Sequence, residues 1–303
     1  MDQPLFARRV TAEDAKVRFE EMPDGVTIAH IENNSATTSI SLFGGQVLTW
    51  QPKRAADPVL WMSQLAKFDS MTAIRGGVPI CWPWFGKHPS APTAPSHGYA
   101  RLCMWELERI TSLSDGRTEV VMSLPQSAQS GDQHLADLSL SARILVGDAL
   151  EVALTTHNKS SASVRVTEGF HTYFHVSDIA NVHVTGLNDC EYVDLLDNDR
   201  RRQQAGAIEF TGEVGRVFVS CDRTCDIEDR QLGRVIRVSS SGSQSVAVWN
   251  PGLNTASKMA DLGSTGWRTM VCVETANALE NALVIAPGQQ HTTSAIYTVM
   301  PLA

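Results

Sequence analysis

The chain has 303 residues, of which 43% are hydrophobic and 19% charged, and its formal net charge is -8. That balance suits a folded globular protein rather than a disordered one. It argues against a nucleic-acid binder, which shows a basic stripe. No run approaches about 18 consecutive apolar residues, so no membrane helix is expected. The opening residues, MDQPLFARRV, hold no long apolar stretch of the secretory kind. The six cysteines, Cys81, Cys103, Cys190, Cys221, Cys225 and Cys272, are scattered without a CxxC pair. Reduced thiols and a cytoplasmic location are therefore expected. Cys221 and Cys225 could pair on spacing alone.

Residues 1–24 read as an N-terminal extension. Beyond them, GVTIAHIEN (25–33) and TTSISLFGGQVLTWQP (37–52) alternate apolar and polar residues with period two, the mark of half-buried strands. DPVLWMSQLAKFD (57–69) is the best helix candidate of the chain. IRGGVPICWPWFG (74–86) follows, with Arg75 ahead of two glycines and two prolines interleaved with tryptophans. Proline removes amide donors, so this segment reads as a sheet edge or an ordered loop. Arg75 offers a bidentate fork for phosphate or vicinal hydroxyls, or else a structural salt bridge. Trp82, Trp84 and Phe85 supply faces that can stack on a sugar ring, or a core corner.

The Pro-rich stretch from Trp84 to Arg101 is too long for a plain turn, and such loops are often functional. It ends in SHGYAR, with Ser96, His97 and Arg101. Asp115-Gly116 reads as a hairpin turn. Strands are expected again at ALEVALTTHN (149–158), SVRVTEGFHTYF (163–174), VHVTGL (182–187), RVIRVSS (234–240), SVAVWNP (245–251), TMVCVET (269–275) and TTSAIYTVM (292–300). Arg200-Arg201-Arg202, beside Asp197 and Asp199, reads as a solvated loop. The whole is expected to be one all-β domain over 1–303, a sandwich of antiparallel sheets.

His171 and His175 have the HxxxH spacing of a helical zinc site, but Thr172 stands where a zincin has glutamate. On a strand, residues four apart lie about 13 Å apart, too far to share a metal. At most one of the two is expected to do chemistry. Glu168 is a candidate to orient a neighbour. Glu274 follows an apolar run, where a desolvated carboxylate would make a base and an exposed strand end would not.

Taken in order, RGGVPICWPWFG, HGYAR, HTYFHVSDI, WNP and VCVETAN resemble the glucose-6-phosphate 1-epimerases, a branch of the aldose 1-epimerase superfamily. The likeness runs from about Gly44 to Pro287. It implies a galactose mutarotase-like β-supersandwich, no cofactor and no metal. The implied partner is a small sugar phosphate, and a monomer is compatible with the sequence. It implies interconversion of the α and β anomers of a hexose 6-phosphate. By the same resemblance His171 is the catalytic acid, Glu274 the carboxylate base, and Arg75 and Arg101 the phosphate-site arginines. His97 falls on a second active-site histidine and Ser96 on a position that can hold glutamine. A sugar-binding aspartate of the family falls on Gly215, with Glu213 near enough to substitute. The acid role asks that His171 be held at or above the ordinary histidine pKa of about 6.5 by a carboxylate. The rival readings are a non-catalytic carbohydrate-binding sandwich, a mutarotase of another sugar, and a lyase or isomerase of a sugar acid.

Overall fold

A computed structural model describes residues 9–126, 137–219 and 224–302. It is all-β with mainly antiparallel sheets, as the period-two runs require. The strand Leu138–Val146 illustrates the cause. Leu138, Leu140, Ala142 and Ile144 are buried, and the residues between them are half-exposed.

A nine-stranded sheet is built around Ala149–Asn158 and Gln290–Pro301, which pair antiparallel over nine residue positions. Facing it across the core is an eight-stranded sheet. Its strands run in the order Arg200–Gln203, Glu191–Asp194, Val214–Phe218, Ser245–Asn250, Met270–Asn277, Glu168–Phe170 and Ile80–Cys81; Tyr173–His175 also pairs with Met270–Asn277. A four-stranded sheet, Lys16–Glu21, Thr27–Glu32, Ala36–Ser41 and Gln46–Pro52, closes one side. One apolar cluster joins all three, with Leu154 and Tyr297 from the first sheet, Phe170, Val248 and Val273 from the second, and Ile40 and Trp50 from the third.

Met270–Asn277 is buried at every position. Val271 and Val273 enter the main core, while Met270 and Cys272 enter a second cluster with Trp61, Tyr173 and Leu262 on the other face. This central strand, covered on both faces, carries Glu274.

Several expectations change in detail. Residues 57–69 form no helix. Val59 and Trp61 instead exchange backbone hydrogen bonds with His175, Tyr173 and Gly77, so tertiary pairing overrides helix propensity there. The arginine run is the edge strand Arg200–Gln203, not a loop; Arg200, Arg201 and Arg202 are each ion-paired to Asp197, Glu191, Glu280 or Asp194. Within residues 1–24, Lys16–Glu21 forms the outer strand of the four-stranded sheet and Val10–Thr11 pairs parallel with Ile110 and Thr111. The Asp115-Gly116 turn joins Glu106–Ser112 to Thr118–Ser123 as expected. Cys81 and Cys272 are free thiols among the described residues; Cys221, and with it the Cys221–Cys225 spacing, lies outside the described residues. No helix among the described residues is long and apolar enough to cross a membrane.

Gly77 holds the RGGVP segment against the Gln46–Pro52 strand. Its φ is +63°, and a Cβ there would stand 2.2 Å from the Val47 carbonyl oxygen. Gly116 has φ +84° but open space around it. Gly116→Ala should therefore cost about 1–2 kcal/mol, the left-handed backbone penalty alone. Gly77→Ala should cost at least about 3 kcal/mol, because two backbones must also separate. Urea unfolding of the two variants checks this; equal losses would show that the close approach at Val47 contributes nothing.

Candidate active site

The site begins with strand register. Phe170 lies opposite Thr275 and Tyr173 opposite Cys272, which sets His171 across from Glu274. Their side chains turn toward each other, with His171 Nδ1 3.6 Å from Glu274 Oε1. The segment bearing Arg75 straps the pair from the far side. His171 donates its backbone N–H to Pro79 O, and Tyr173 donates to Gly77 O, both at 2.9 Å. His171 Nδ1 and Glu274 Oε2 are buried and have no hydrogen-bond partner. Two polar atoms left bare in a dry place are costly unless a ligand completes them.

His97, in the left-handed region at φ 62°, brings its ring to 5.1 Å from that of His171. Its Nδ1 accepts the Gly86 N–H at 3.2 Å and lies 3.3 Å from Cys81 Sγ. In the neutral ring that leaves the Nε2–H as a donor. Arg101 stands on the one-turn helix Ala100–Leu102 and donates Nη2 to Ser96 O at 2.7 Å. Its Nε is buried without a partner, and among the described residues it makes no salt bridge. Ser96 itself is exposed and turns its hydroxyl to Gly86 O.

Arg75 is differently placed. Its Nε and Nη2 each lie 2.9 Å from Asp261 Oδ2, and Nη1 donates to Tyr173 Oη at 2.8 Å. Of the two readings its sequence left open, the salt bridge is present. Its field nevertheless reaches both His97 and His171, so both arginines bear on one place.

Electrostatics correct the protonation expected for His171. Burial, then the neighbouring His97, Arg101 and Arg75, hold its pKa well below 6.5. Burial likewise pushes Glu274 well above the ordinary carboxylate value, with Arg101 opposing. His97 is pushed down to about 3 by burial and by Arg101 and Arg75. Burial therefore disfavours the charged form of both members of the pair, and the expected raising of His171 by its carboxylate neighbour is not what the site does.

Other sequence readings sort out by position. Trp82 is fully buried with Nε1 donating to Thr156 Oγ1, so it is core and not a sugar platform. Phe85 does face the site, edge-on to His97 at 5.1 Å. Glu168 lies in the core and accepts from Thr156 and Thr293 hydroxyls. His175 ties its carbonyl to Arg234 Nη2. Gly215 is buried, and a Cβ there would meet ordinary contacts from Leu195 and Leu196 at 3.6 Å, so the position carries no polar group in place of the family's aspartate. Glu213 does not fill it: its carboxylate accepts from Thr255 Oγ1 at 2.6 Å and lines a separate cavity of about 660 Å³ with Phe210, Trp267 and Arg268.

Four residues were not singled out from sequence. Tyr173 stacks on His171 at 4.8 Å with an interplanar angle of 12°. Trp249 stands edge-on to His171 at 5.6 Å, and Cys272 lies two residues before Glu274 on the same face. Period-two spacing from His171 and Glu274 would have found Tyr173 and Cys272. Nothing local marks Asp261.

Comparison with known proteins bears on family and fold. The family model described as aldose 1-epimerase matches residues 27–298. An Escherichia coli (strain K12) protein named "Putative glucose-6-phosphate 1-epimerase" is 33% identical over 98% of each chain. One of the same name from Cenchrus ciliaris is 30% identical over 83% of this chain and 78% of its own. A crystal structure of a "putative mutarotase" from Salmonella typhimurium superposes with TM-score 0.86 at 30% identity, covering 94% of both chains.

His171 should stay neutral as pH falls through 6.5, because a lowered pKa places its protonation well below that point. Its ring-nitrogen chemical shifts, assigned by their loss in His171→Asn, give the midpoint. Titration near 6.5 would mean that the ring is in ordinary contact with water.

Proposed function

The chain belongs to the aldose 1-epimerase family, and on that premise we propose that it interconverts the α and β anomers of a hexose 6-phosphate, glucose 6-phosphate first among them. The observation that carries the phosphate is Arg101, a half-buried cation with an orphaned Nε and no acid partner among the described residues, whose charge acts on both His171 and Glu274. The names of the relatives point the same way.

Mutarotation moves two protons and changes no oxidation state. A base takes the proton from the anomeric O1 hydroxyl while an acid protonates the ring oxygen O5 as C1–O5 breaks. The open aldehyde turns about C1–C2 and closes on its other face, each group running in reverse. One acid and one base complete the cycle, so the chemistry draws on no cofactor. Glu274 serves O1 and His171 serves O5, and their 3.6 Å separation brings both to one anomeric centre.

Arg101 and Arg75 both disfavour a charged His171 in the empty site, so a phosphate dianion that answers their charge favours the imidazolium that the acid role calls for. His97 Nε2–H and the Phe85 edge are placed to hold the ring, and binding energy at the phosphate fixes it over the pair.

Two-dimensional exchange NMR on equilibrated glucose 6-phosphate should show faster exchange between its anomeric protons than in buffer, with little effect on free glucose. Acceleration of free glucose alone would move the activity to an unphosphorylated sugar; no acceleration of any hexose would leave a binding module. Glu274→Gln should lower the rate by about 100-fold or more while binding persists; unchanged turnover would remove Glu274 from the mechanism. Arg101→Ala should weaken glucose 6-phosphate binding by about 10- to 100-fold, the worth of a charge-assisted hydrogen bond. An equal loss with free glucose would contradict the phosphate role.

A further inference from the structure

Three ligand-type atoms converge beside the proposed chemistry. His171 Nδ1, the Cys272 thiol sulfur and a Glu274 carboxylate oxygen all lie within 4.8 Å of one another, and all three residues are buried. Glu274 and Cys272 are two apart on Met270–Asn277 and so share the face that His171 meets from the next strand. Two independent features point to a ligand here. His171 Nδ1 and Glu274 Oε2 are buried polar atoms with no partner. The 3.6 Å between Nδ1 and Oε1 is also close to the nitrogen–oxygen edge of a tetrahedral zinc site, about 3.3–3.5 Å, so small side-chain rotations within the 4.8 Å cluster would close it on an ion.

We propose that His171, Cys272 and Glu274 form a binding site for a thiophilic divalent cation, Zn²⁺ or Cd²⁺, and that its occupancy shuts off turnover. A nitrogen, a thiolate and a carboxylate are the donors such ions prefer, and three protein ligands leave one position for water. As the metal–sulfur bond forms the thiol releases its proton to solvent, as does the carboxyl where it holds one. The two anionic donors so formed answer the ion's double charge beside Arg101. Sulfur sets the preference: Mg²⁺ and Ca²⁺ favour all-oxygen shells and do not compete. The bound ion holds both the acid and the base, so the enzyme is inhibited without any movement of the fold. This inhibition rests on the mutarotase reading; the metal binding does not.

Reduced, metal-free protein is titrated with Co²⁺ as a spectroscopic stand-in for Zn²⁺. The expected result is a thiolate-to-cobalt charge-transfer band with tetrahedral d–d bands at one ion per chain, displaced by Zn²⁺. Cys272→Ala should lose the band and Cys81→Ala should keep it. In parallel, Zn²⁺ should inhibit glucose 6-phosphate anomerisation reversibly, with EDTA restoring it. Measured against its own metal-free rate, Cys272→Ala should be at least tenfold less sensitive to Zn²⁺. Should the alanine variant not fold, Cys272→Ser keeps the volume and removes the soft donor. Absence of the charge-transfer band, or equal Zn²⁺ sensitivity in the Cys272 variant, overturns the proposal. A cobalt band in a protein that accelerates no sugar's anomerisation would leave the metal site standing and remove the mutarotase reading.

Discussion

The structure turns on one cross-strand pair held bare in a dry place. His171 and Glu274 face each other because the short strands Glu168–Phe170 and Tyr173–His175 keep one register along Met270–Asn277. A slip of one residue would send both side chains to the opposite face. The surrounding fold resists that slip. Phe170 and Val273 are locked in the main core on one face, while Pro79 and Gly77 accept backbone hydrogen bonds from His171 and Tyr173. Gly77 in turn fits only because no side chain separates it from Val47. Rigid elements holding a few unsatisfied polar atoms are what preorganised chemistry requires.

Charge in the site follows from that dryness. Water is excluded from the pair, so neither group ionises readily, and their protonation depends on the nearest fixed charges. Arg75 and Arg101 supply these with different freedom. Asp261 and Tyr173 hold Arg75 as a clamp that cannot wander. Among the described residues Arg101 is held by one side-chain hydrogen bond, to the Ser96 carbonyl. The pair of arginines thus combines a fixed arm with one whose charge is unanswered among the described residues. A chain of net charge -8 can hold such a patch because electrostatic effects in a buried site are set by near neighbours and little screened by salt.

Much of this was legible in the sequence where periodicity spoke. The strands, the turn at Gly116 and the strand placement of Glu274 follow from period two and turn chemistry; His171, expected within a strand, falls in the two-residue break between Glu168–Phe170 and Tyr173–His175. Residues 57–69 misled because their apolar spacing fits a helix, while their backbone donors and acceptors are taken by Tyr173 and His175 far along the chain. Trp82 looked like a sugar platform because composition does not distinguish the two sides of a sheet edge. Arg75 stayed ambiguous for a similar reason: its partner Asp261 lies 186 residues away. The protonation of the pair was hidden as well. Burial decides it, and burial is a property of the assembled fold.

The glycine at position 215 bears on how a sugar would be chosen. Gly215 is buried, pairs with Trp249 of the strand Ser245–Asn250 and offers no polar side chain. Its neighbours Leu195 and Leu196 are about half exposed, and Glu213 is engaged with Thr255. A hydroxyl directed there meets apolar surface, so it is neither rewarded by a hydrogen bond nor rejected by an unpaired buried group. Sites discriminate strongly only where a polar group is left unmatched by the wrong substrate. On the proposed reading, selection therefore falls to the two ends of the molecule: the phosphate at the arginines and the anomeric centre at His171 and Glu274. Hydroxyls pointing toward Gly215 would be read weakly, and hexose 6-phosphates that differ only there would be handled alike.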